Sequence, residues 1–305
     1  VWAADCQHID TAVAVKAYRA NHESYFRNEL AILSHIRDAT SPNWPAGVIE
    51  YYGSFNHGVY PCITFAVGGE SLSQLTRVAS ENGSGLSPAI VKQIMRQMFA
   101  GLAAIHSCGI IHMDIKPSNV LLSGRATDVT EDNVCISIAD LGSSQFVGDP
   151  PHHATGTTQY ISPEILLETA YDASRDIWSA FAMCFELATN DLLFDVFHEC
   201  AITYGEEMDE DAVDDESMDD PVRGRKLDRS MRSRRDSTPK RTPEYVTSRG
   251  AAMTSESESD EPDSYESIYR HLLIMDRIIG PAPRRFTAIA TNFYNAQGRL
   301  LDHPD

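Results

Sequence analysis

Lys16, Glu29, Asp114, Asn119 and Asp140 have the types and the order that phosphoryl transfer requires. That chemistry needs phosphates held by metal, a positioned hydroxyl and positive charge on the group in transit. In "VAVK" (Val13 to Lys16) the lysine falls on a strand, where its ammonium can reach the α and β phosphates. Glu29, on the helix that follows, can pair with it and hold it extended. In "HMDIKPSN", Asp114 can accept or orient a hydroxyl proton, Lys116 can meet the γ-phosphate, and Asn119 offers an oxygen to a metal ion. "ADLG" follows a strand, so Asp140 can hold Mg²⁺ against the phosphates. "SPE" (Ser162 to Glu164) closes the segment that Asp140 opens.

Each piece has a plainer reading when taken alone. A lone lysine on a strand is a solvated charge, and an exposed Lys–Glu pair contributes less than about 1 kcal/mol. "DLG" is a turn, "SPE" a helix N-cap, and His112 a buried ring bonded to backbone. The order and spacing of the whole set are what point to one site.

These residues need elements to carry them. "TAVAVKAYRA" alternates and is β-branched, which predicts a strand. "ESYFRNELAILSHIRDA" repeats Phe26, Leu30, Leu33 and Ile36 at helical spacing. "VIEYYGSF" and "VYPCITFAV" read as strands joined by a turn at "NHG". "SPAIVKQIMRQMFAGLAAIHSCG" reads as a helix capped by Ser87, opened by Pro88 and stopped at Gly109. "CISIAD" is a short buried strand, and "DIWSAFAMCFELATN", apolar almost all round, a helix buried mid-domain. Strands with one helix, then mostly helices, predict a two-lobed α+β fold. The expected division is an N-lobe at 1–69, a helical C-lobe at 70–205, an insert at 206–266 and a C-lobe continuation at 267–305.

The insert changes character twice, from "EEMDEDAVDDESMDD" through "RGRKLDRSMRSRRDSTPKR" to "TSESESDEPDSYE". Apolar residues are too sparse there to offset ordering entropy, so disorder is expected. The chain has 305 residues, 42% of them apolar, enough for a sizeable core. Its net charge of −19 argues against a nucleic-acid binder and favours basic partners. The cysteines Cys6, Cys62, Cys108, Cys135, Cys184 and Cys200 form no CxxC pair and read as free thiols in a reducing compartment. No apolar run approaches a membrane span, and "VWAADCQHID" does not resemble a signal peptide.

Together the motifs resemble the eukaryotic protein kinase family. Within its CMGC group the chain is most similar to the SR-protein kinases, which phosphorylate serines of Arg/Ser-rich splicing factors. The resembling pieces are "IIHMDIKPSNVLL", "IADLGSS", "GTTQYISPEILL", "DIWSAFAMCFELATNDLLF" and "HLLIMDRIIGPAPRRF"; the last also resembles the LAMMER kinases. The resemblance implies ATP and Mg²⁺ as cofactors, Asp114 as catalytic base and Lys116 as its electrostatic partner. It implies metal binding by Asn119 and Asp140, and a Lys16–Glu29 ion pair. Val1 and Ala14 would roof the adenine and Leu121 would floor it. Phe65 would be the gatekeeper, with Ala66, Val67 and Gly68 as the hinge. His112, Glu164 and Asp176 would be structural, Asp176 holding the backbone around His112. The implied protein is a monomer of cytoplasm and nucleus, acting on Arg/Ser-rich proteins, with no direct contact to nucleic acid or membrane.

Several features depart from that pattern. The Gly-rich phosphate loop and the last helices of the family are not in the sequence, nor is the arginine expected to pair with Glu164. As given, the chain reads as a fragment expected to bind ATP poorly. The long insert lies after the buried helix, where the family builds an acidic groove for Arg-rich substrates. Its carboxylates fit that role, or merely solvate; its basic stretch is a pseudosubstrate, a linker or an import patch. Met113 stands where many kinases carry arginine. With no cation there to neutralise, activity without loop phosphorylation is expected. A scaffold lacking activity and a LAMMER-like kinase remain the alternatives.

Overall fold

In the computed structural model, the stretch that carries Lys16 is a strand of a four-stranded antiparallel sheet. The structure describes residues 1–6, 11–81, 83, 85–150, 156–195, 265–280, 282–283, 293–295, 297 and 299–301. The sheet contains β1 (Trp2–Cys6), β2 (Thr11–Ala17), β3 (Tyr51–His57) and β4 (Tyr60–Ala66), in spatial order β1-β2-β4-β3. In the β2–β4 register, Ala14 lies opposite Phe65 and Lys16 opposite Ile63. Side chains alternate faces along a strand, so Ala14 and Lys16 share one. Gly58 turns the β3–β4 hairpin at φ +61°, the left-handed value such a tight turn requires.

Helix α1 (Glu23–Thr40) buries Glu29, Ile32, Leu33 and Ile36, an i, i+3, i+4, i+7 stripe. The predicted Phe26 and Leu30 flank that stripe and pack partly buried against it. A carboxylate thus occupies a core position of the helix and is fully buried. Burial of an ionised group is costly unless it is paired, so Glu29 must find donors.

The second lobe holds α2 (Leu72–Glu81), α3 (Pro88–Ser107), β5 (Ile110–Ile111), β6 (Val120–Leu122), β7 (Ile136–Ile138), β8 (Gln145–Phe146), α4 (Pro163–Leu166), α5 (Ser174–Thr189) and α6 (Tyr265–Ile279). The caps read from sequence are present in α3: Ser87 Oγ accepts from Ile90 N at 3.3 Å, and Gly109 follows at φ +71°. Helix α3 runs so close to the segment before β3 that a Cβ on Gly101 would meet Gly47 O at 2.8 Å. That segment is zipped onto β7, with Ile138 N on Gly47 O and Ile49 N on Ile138 O, both 2.8 Å. Gly69 N on Leu122 O and Leu122 N on Glu70 O, both 2.7 Å, fasten the end of the interlobe connection to β6. The two attachments set the sheet and the helical lobe face to face.

Helix α5 departs from the expectation of burial all round. Phe181 is 58% and Phe185 38% exposed, while Arg175, Asp176, Ser179, Ala180, Met183 and Leu187 line the buried side. The polar residues at its start, not its aromatic ones, go inward. The described residues all fall in one compact unit, drawn from 1–200 and 262–305, and residues 201–261 lie outside the described residues. The disorder expected for 206–266 falls outside them too, except that Tyr265 and Glu266 belong to α6. Among the described residues Cys62, Cys108, Cys135 and Cys184 are free, and no helix is long and apolar enough to cross a membrane.

Candidate active site

A cleft of about 360 Å³ opens between the sheet and the helical lobe, lined by Val1, Ala14, Lys16, Glu29, Phe65, Gly68, Asn119, Leu121 and Asp140, with Ile49, Ala66, Gly69, Ser118 and Ala139. The predicted roof and floor residues are therefore brought together. Val67 is the exception: it is 51% exposed and not part of the wall, so only its backbone can serve the cleft. Gly68 lies against the floor so tightly that a Cβ there would stand 2.6 Å from Leu121 Cδ1.

The upper wall is a charge cluster. Lys16 Nζ donates to Glu29 Oε2 at 2.6 Å and to Asp140 Oδ1 at 2.8 Å. Tyr18 Oη also donates to Glu29 Oε2, and its ring stacks edge-on against Phe26 of α1. Burial alone would lower the pKa of the Lys16 ammonium, but Glu29 and Asp140 outweigh it and raise it. Burial pushes Glu29 up to about 6, with Lys16 pulling against it. Asp140 ends below the usual carboxylate range: burial would raise it, and the Lys16 charge more than offsets that. Asn28 of α1 donates to Gly142 O at 3.1 Å and Ser144 O at 3.0 Å, so the helix that carries Glu29 also grips the segment after Asp140.

The lower wall is the loop after β5. Asp114 receives Thr157 Oγ1 on Oδ1 at 2.7 Å, and on Oδ2 it receives Lys116 Nζ at 2.9 Å and Asn119 Nδ2 at 3.0 Å. Lys116 Nζ also donates to Thr157 Oγ1 at 2.7 Å, and Asn119 Nδ2 to Asp114 O at 2.8 Å. The carboxylate is thus aimed by three side chains. Asn119 spends its amide nitrogen on Asp114, which leaves its oxygen as a potential metal donor on the cleft wall. Asp140, its side chain 50% exposed, supplies a carboxylate on the same wall. A carboxamide oxygen and a carboxylate suit a hard cation such as Mg²⁺ that takes its other ligands from phosphate and water. Among the described residues no group of three or more His, Cys, Asp or Glu forms a metal cage of its own.

Beneath the loop, α5 holds its backbone. Asp176 accepts from His112 N at 2.8 Å, Met113 N at 3.0 Å and His106 Nε2 at 2.8 Å. His112 Nδ1 accepts from Asp114 N at 3.3 Å, so the ring's Nε2 carries the proton donated to Ala139 O at 3.1 Å. Glu164 sits apart, half-buried on α4 beside Trp178, Leu272 and Met275, and makes no ion pair with a described residue.

Sequence reasoning missed Thr157, Tyr18, Asn28 and Arg175. Thr157 lies inside "GTTQYISPE" without a spacing signal of its own, and Tyr18 is merely two residues past Lys16. Arg175 corrects an expectation. Met113 is uncharged, yet the site is not free of a cation there, because the guanidinium of Arg175 lies against Met113 Sδ and Met113 O at 3.0 Å each.

The protein kinase domain family matches residues 3–233 of this chain. The chain is similar to a probable serine/threonine-protein kinase, yakA, of Dictyostelium discoideum, 30% identical over 187 residues (60% of this chain, 12% of the relative). It is similar to the dual specificity protein kinase YAK1 homolog of Arabidopsis thaliana, 32% identical over 178 residues (57% and 18%). It is also similar to the MAP kinase kinase kinase wis4 of Schizosaccharomyces pombe, 31% identical over 219 residues (63% and 14%). The matches span under a fifth of these three relatives' lengths.

Proposed function

The chain belongs to the protein kinase family, and we propose that it transfers the γ-phosphate of ATP to serine or threonine hydroxyls of proteins. The observation that carries this reading is the Asp114 carboxylate, fixed by Thr157, Lys116 and Asn119, the last of which lines the cleft that holds Lys16 and Asp140. Asp114 accepts the acceptor hydroxyl's proton as the oxygen bonds phosphorus, and the bond to the departing ADP oxygen breaks. Lys116, already beside that carboxylate, offsets charge on the transferred group. Lys16, held by Glu29, steadies the remaining phosphates. Asn119 and Asp140 would hold Mg²⁺, which supplies charge neutralisation on the phosphate oxygens.

The finer reading is a kinase of Arg/Ser-rich proteins. The resemblance of "IIHMDIKPSNVLL" and "HLLIMDRIIGPAPRRF" supports it, as does a net charge of −19 complementary to Arg-rich partners. The dual specificity relative favours a second reading, in which tyrosine is also accepted. Independence from loop phosphorylation draws support from Arg175: the cation near Met113 is 2% exposed and its charge is balanced chiefly by Asp176, so no incoming phosphate is needed to neutralise it. A monomer working in cytoplasm and nucleus completes the reading; the free thiols suit a reducing compartment.

The test incubates the chain with Mg-ATP and three peptides: an Arg/Ser repeat, an acidic serine peptide and a tyrosine peptide. Transfer to the Arg/Ser repeat, lost in Asp114→Asn while ATP binding persists, is the expected result. Equal transfer by Asp114→Asn refutes the base, preference for the acidic peptide refutes the substrate class, and transfer to the tyrosine peptide upholds the second reading. Activity lost after phosphatase treatment refutes phosphate independence.

A further inference from the structure

Arg175 heads the largest side chains that the fold buries completely, and it directly precedes Asp176 on α5. Its Nη2 donates to Met113 O at 3.0 Å, while Asp176 accepts from Met113 N at 3.0 Å. Consecutive residues of one helix thus grip both backbone polar atoms of Met113. That residue stands at φ +75°, a left-handed value that a non-glycine residue keeps only where its surroundings hold it.

The guanidinium also reaches the other side of the site. A Cβ added to Gly156 would lie 3.3 Å from Arg175 Nη2 and 3.2 Å from Met113 O, so the backbone before Thr157 passes against the same group. Arg175 Cζ sits 5.3 Å from the Tyr171 ring, and the Tyr171 hydroxyl donates to Gln145 Oε1 on β8 at 2.6 Å. Arg175 therefore touches the chain just before Asp114 and just before Thr157, whose side chains share a 2.7 Å hydrogen bond. Burial is costly for the cation and lowers its pKa. An apolar side chain of similar volume would avoid that cost but could not donate to the Met113 carbonyl.

Resting on the transfer reaction above, we propose that Arg175 is a positioning residue. From α5 it locks the left-handed backbone of Met113 against Gly156, so that Asp114 and Thr157 keep the geometry in which the carboxylate meets the acceptor hydroxyl. It supplies from the helix the cation that position 113 lacks. Arginine at both positions would force two cations into one buried space.

The test uses the full chain as wild type, Arg175→Ala, Arg175→Lys, Met113→Arg and the Arg175→Ala/Met113→Arg pair, with Mg-ATP and a serine peptide. Arg175→Ala is expected to lower kcat tenfold or more with KM for ATP within twofold. Arg175→Lys, which keeps the cation but has one donor nitrogen in place of the fork, falls between it and wild type. Met113→Arg alone is also impaired, and the pair is more active than either single variant. Arg175→Ala within twofold of wild type overturns the proposal, as does a pair no better than its worse member. Should Arg175→Ala fail to fold, Arg175→Lys carries the test through amide exchange: faster exchange confined to residues 112–114 upholds the role, and unchanged exchange there overturns it. If the wild type transfers no phosphate, the kinase reading falls, and the same exchange comparison still decides what Arg175 holds.

Discussion

The charge cluster of the upper wall and the loop anchor beneath the lower wall are held by different means. On the upper wall, side chains hold side chains: Lys16, Glu29, Asp140 and Tyr18 meet across β2, α1 and the segment after β7. Beneath the lower wall, α5 holds backbone: Asp176 and Arg175 bind the main chain at His112 and Met113. A contact between charges can be lost while both elements stay folded. A buried backbone group that loses its partner must go unsatisfied or drag its loop away. The upper wall is therefore the adjustable half of the site and the lower wall the fixed half.

Removing the α5 anchor should do the most damage. Asp176→Ala orphans the buried N–H groups of His112 and Met113, each at about 1–3 kcal/mol. The expected result is a loss of roughly 2–6 kcal/mol in urea unfolding together with loss of transfer. Full stability in that variant would break the distinction between the walls. Lys16→Met should separate the two properties in the opposite sense. Transfer should fall at least a hundredfold, yet unfolding free energy should change little below about pH 6, where the fold already holds Glu29 protonated. A large stability loss in Lys16→Met would show that the upper wall is structural after all.

The same division explains what could be read from sequence. Lys16, Asp114, Asn119 and Asp140 carry their chemistry in their own side chains and sit in short local patterns, so both walls were legible as motifs. The strand register that faces Ala14 and Lys16 into the cleft follows from alternation alone. Thr157, Tyr18 and Arg175 work by touching residues far along the chain, and no local period marks them. For α5, composition misled: apolar residues nearly all round suggested uniform burial. In the fold Arg175 and Asp176 go inward because a loop backbone needs them there, and Phe181 and Phe185 are left exposed.

Glu29 gives the comparison a pH axis. Its pKa rises from the ordinary 4.5 to about 6 in the fold, chiefly through burial. The folded chain thus holds the proton more tightly, and the stability this confers is complete below 4.5 and lost as pH climbs through about 6. The loss is on the order of 2 kcal/mol. The ion pair with Lys16 has the reverse requirement, since only ionised Glu29 forms it. Transfer should fall as pH drops through 6 while this contribution to stability grows. His271, buried and pushed down to about 4, works the other way, its contribution fading as pH falls from 6.5 towards 4. Subtracting Glu29→Gln from wild type in urea unfolding between pH 4.5 and 7 cancels His271 and isolates Glu29. The glutamine variant should gain on wild type as pH rises. A flat difference would mean that Glu29 keeps its charge at no cost.

The smallest effect belongs to Tyr18, and it bears on how adjustable the upper wall is. Its hydroxyl donates to the same Glu29 oxygen as Lys16, from a ring braced on α1 by Phe26. A donor to the ionised carboxylate favours that form, so Tyr18 should help keep Glu29 charged beside Lys16. Tyr18→Phe leaves the ring and its packing but deletes the donor, at about 1 kcal/mol. Glu29 should then protonate at higher pH, moving the acid limb of the activity profile up from about 6 while the plateau rate stays within a few-fold. Profiles of kcat/KM against pH for both proteins read this directly. If the limb does not move, Lys16 and the Leu141 backbone keep Glu29 ionised without Tyr18.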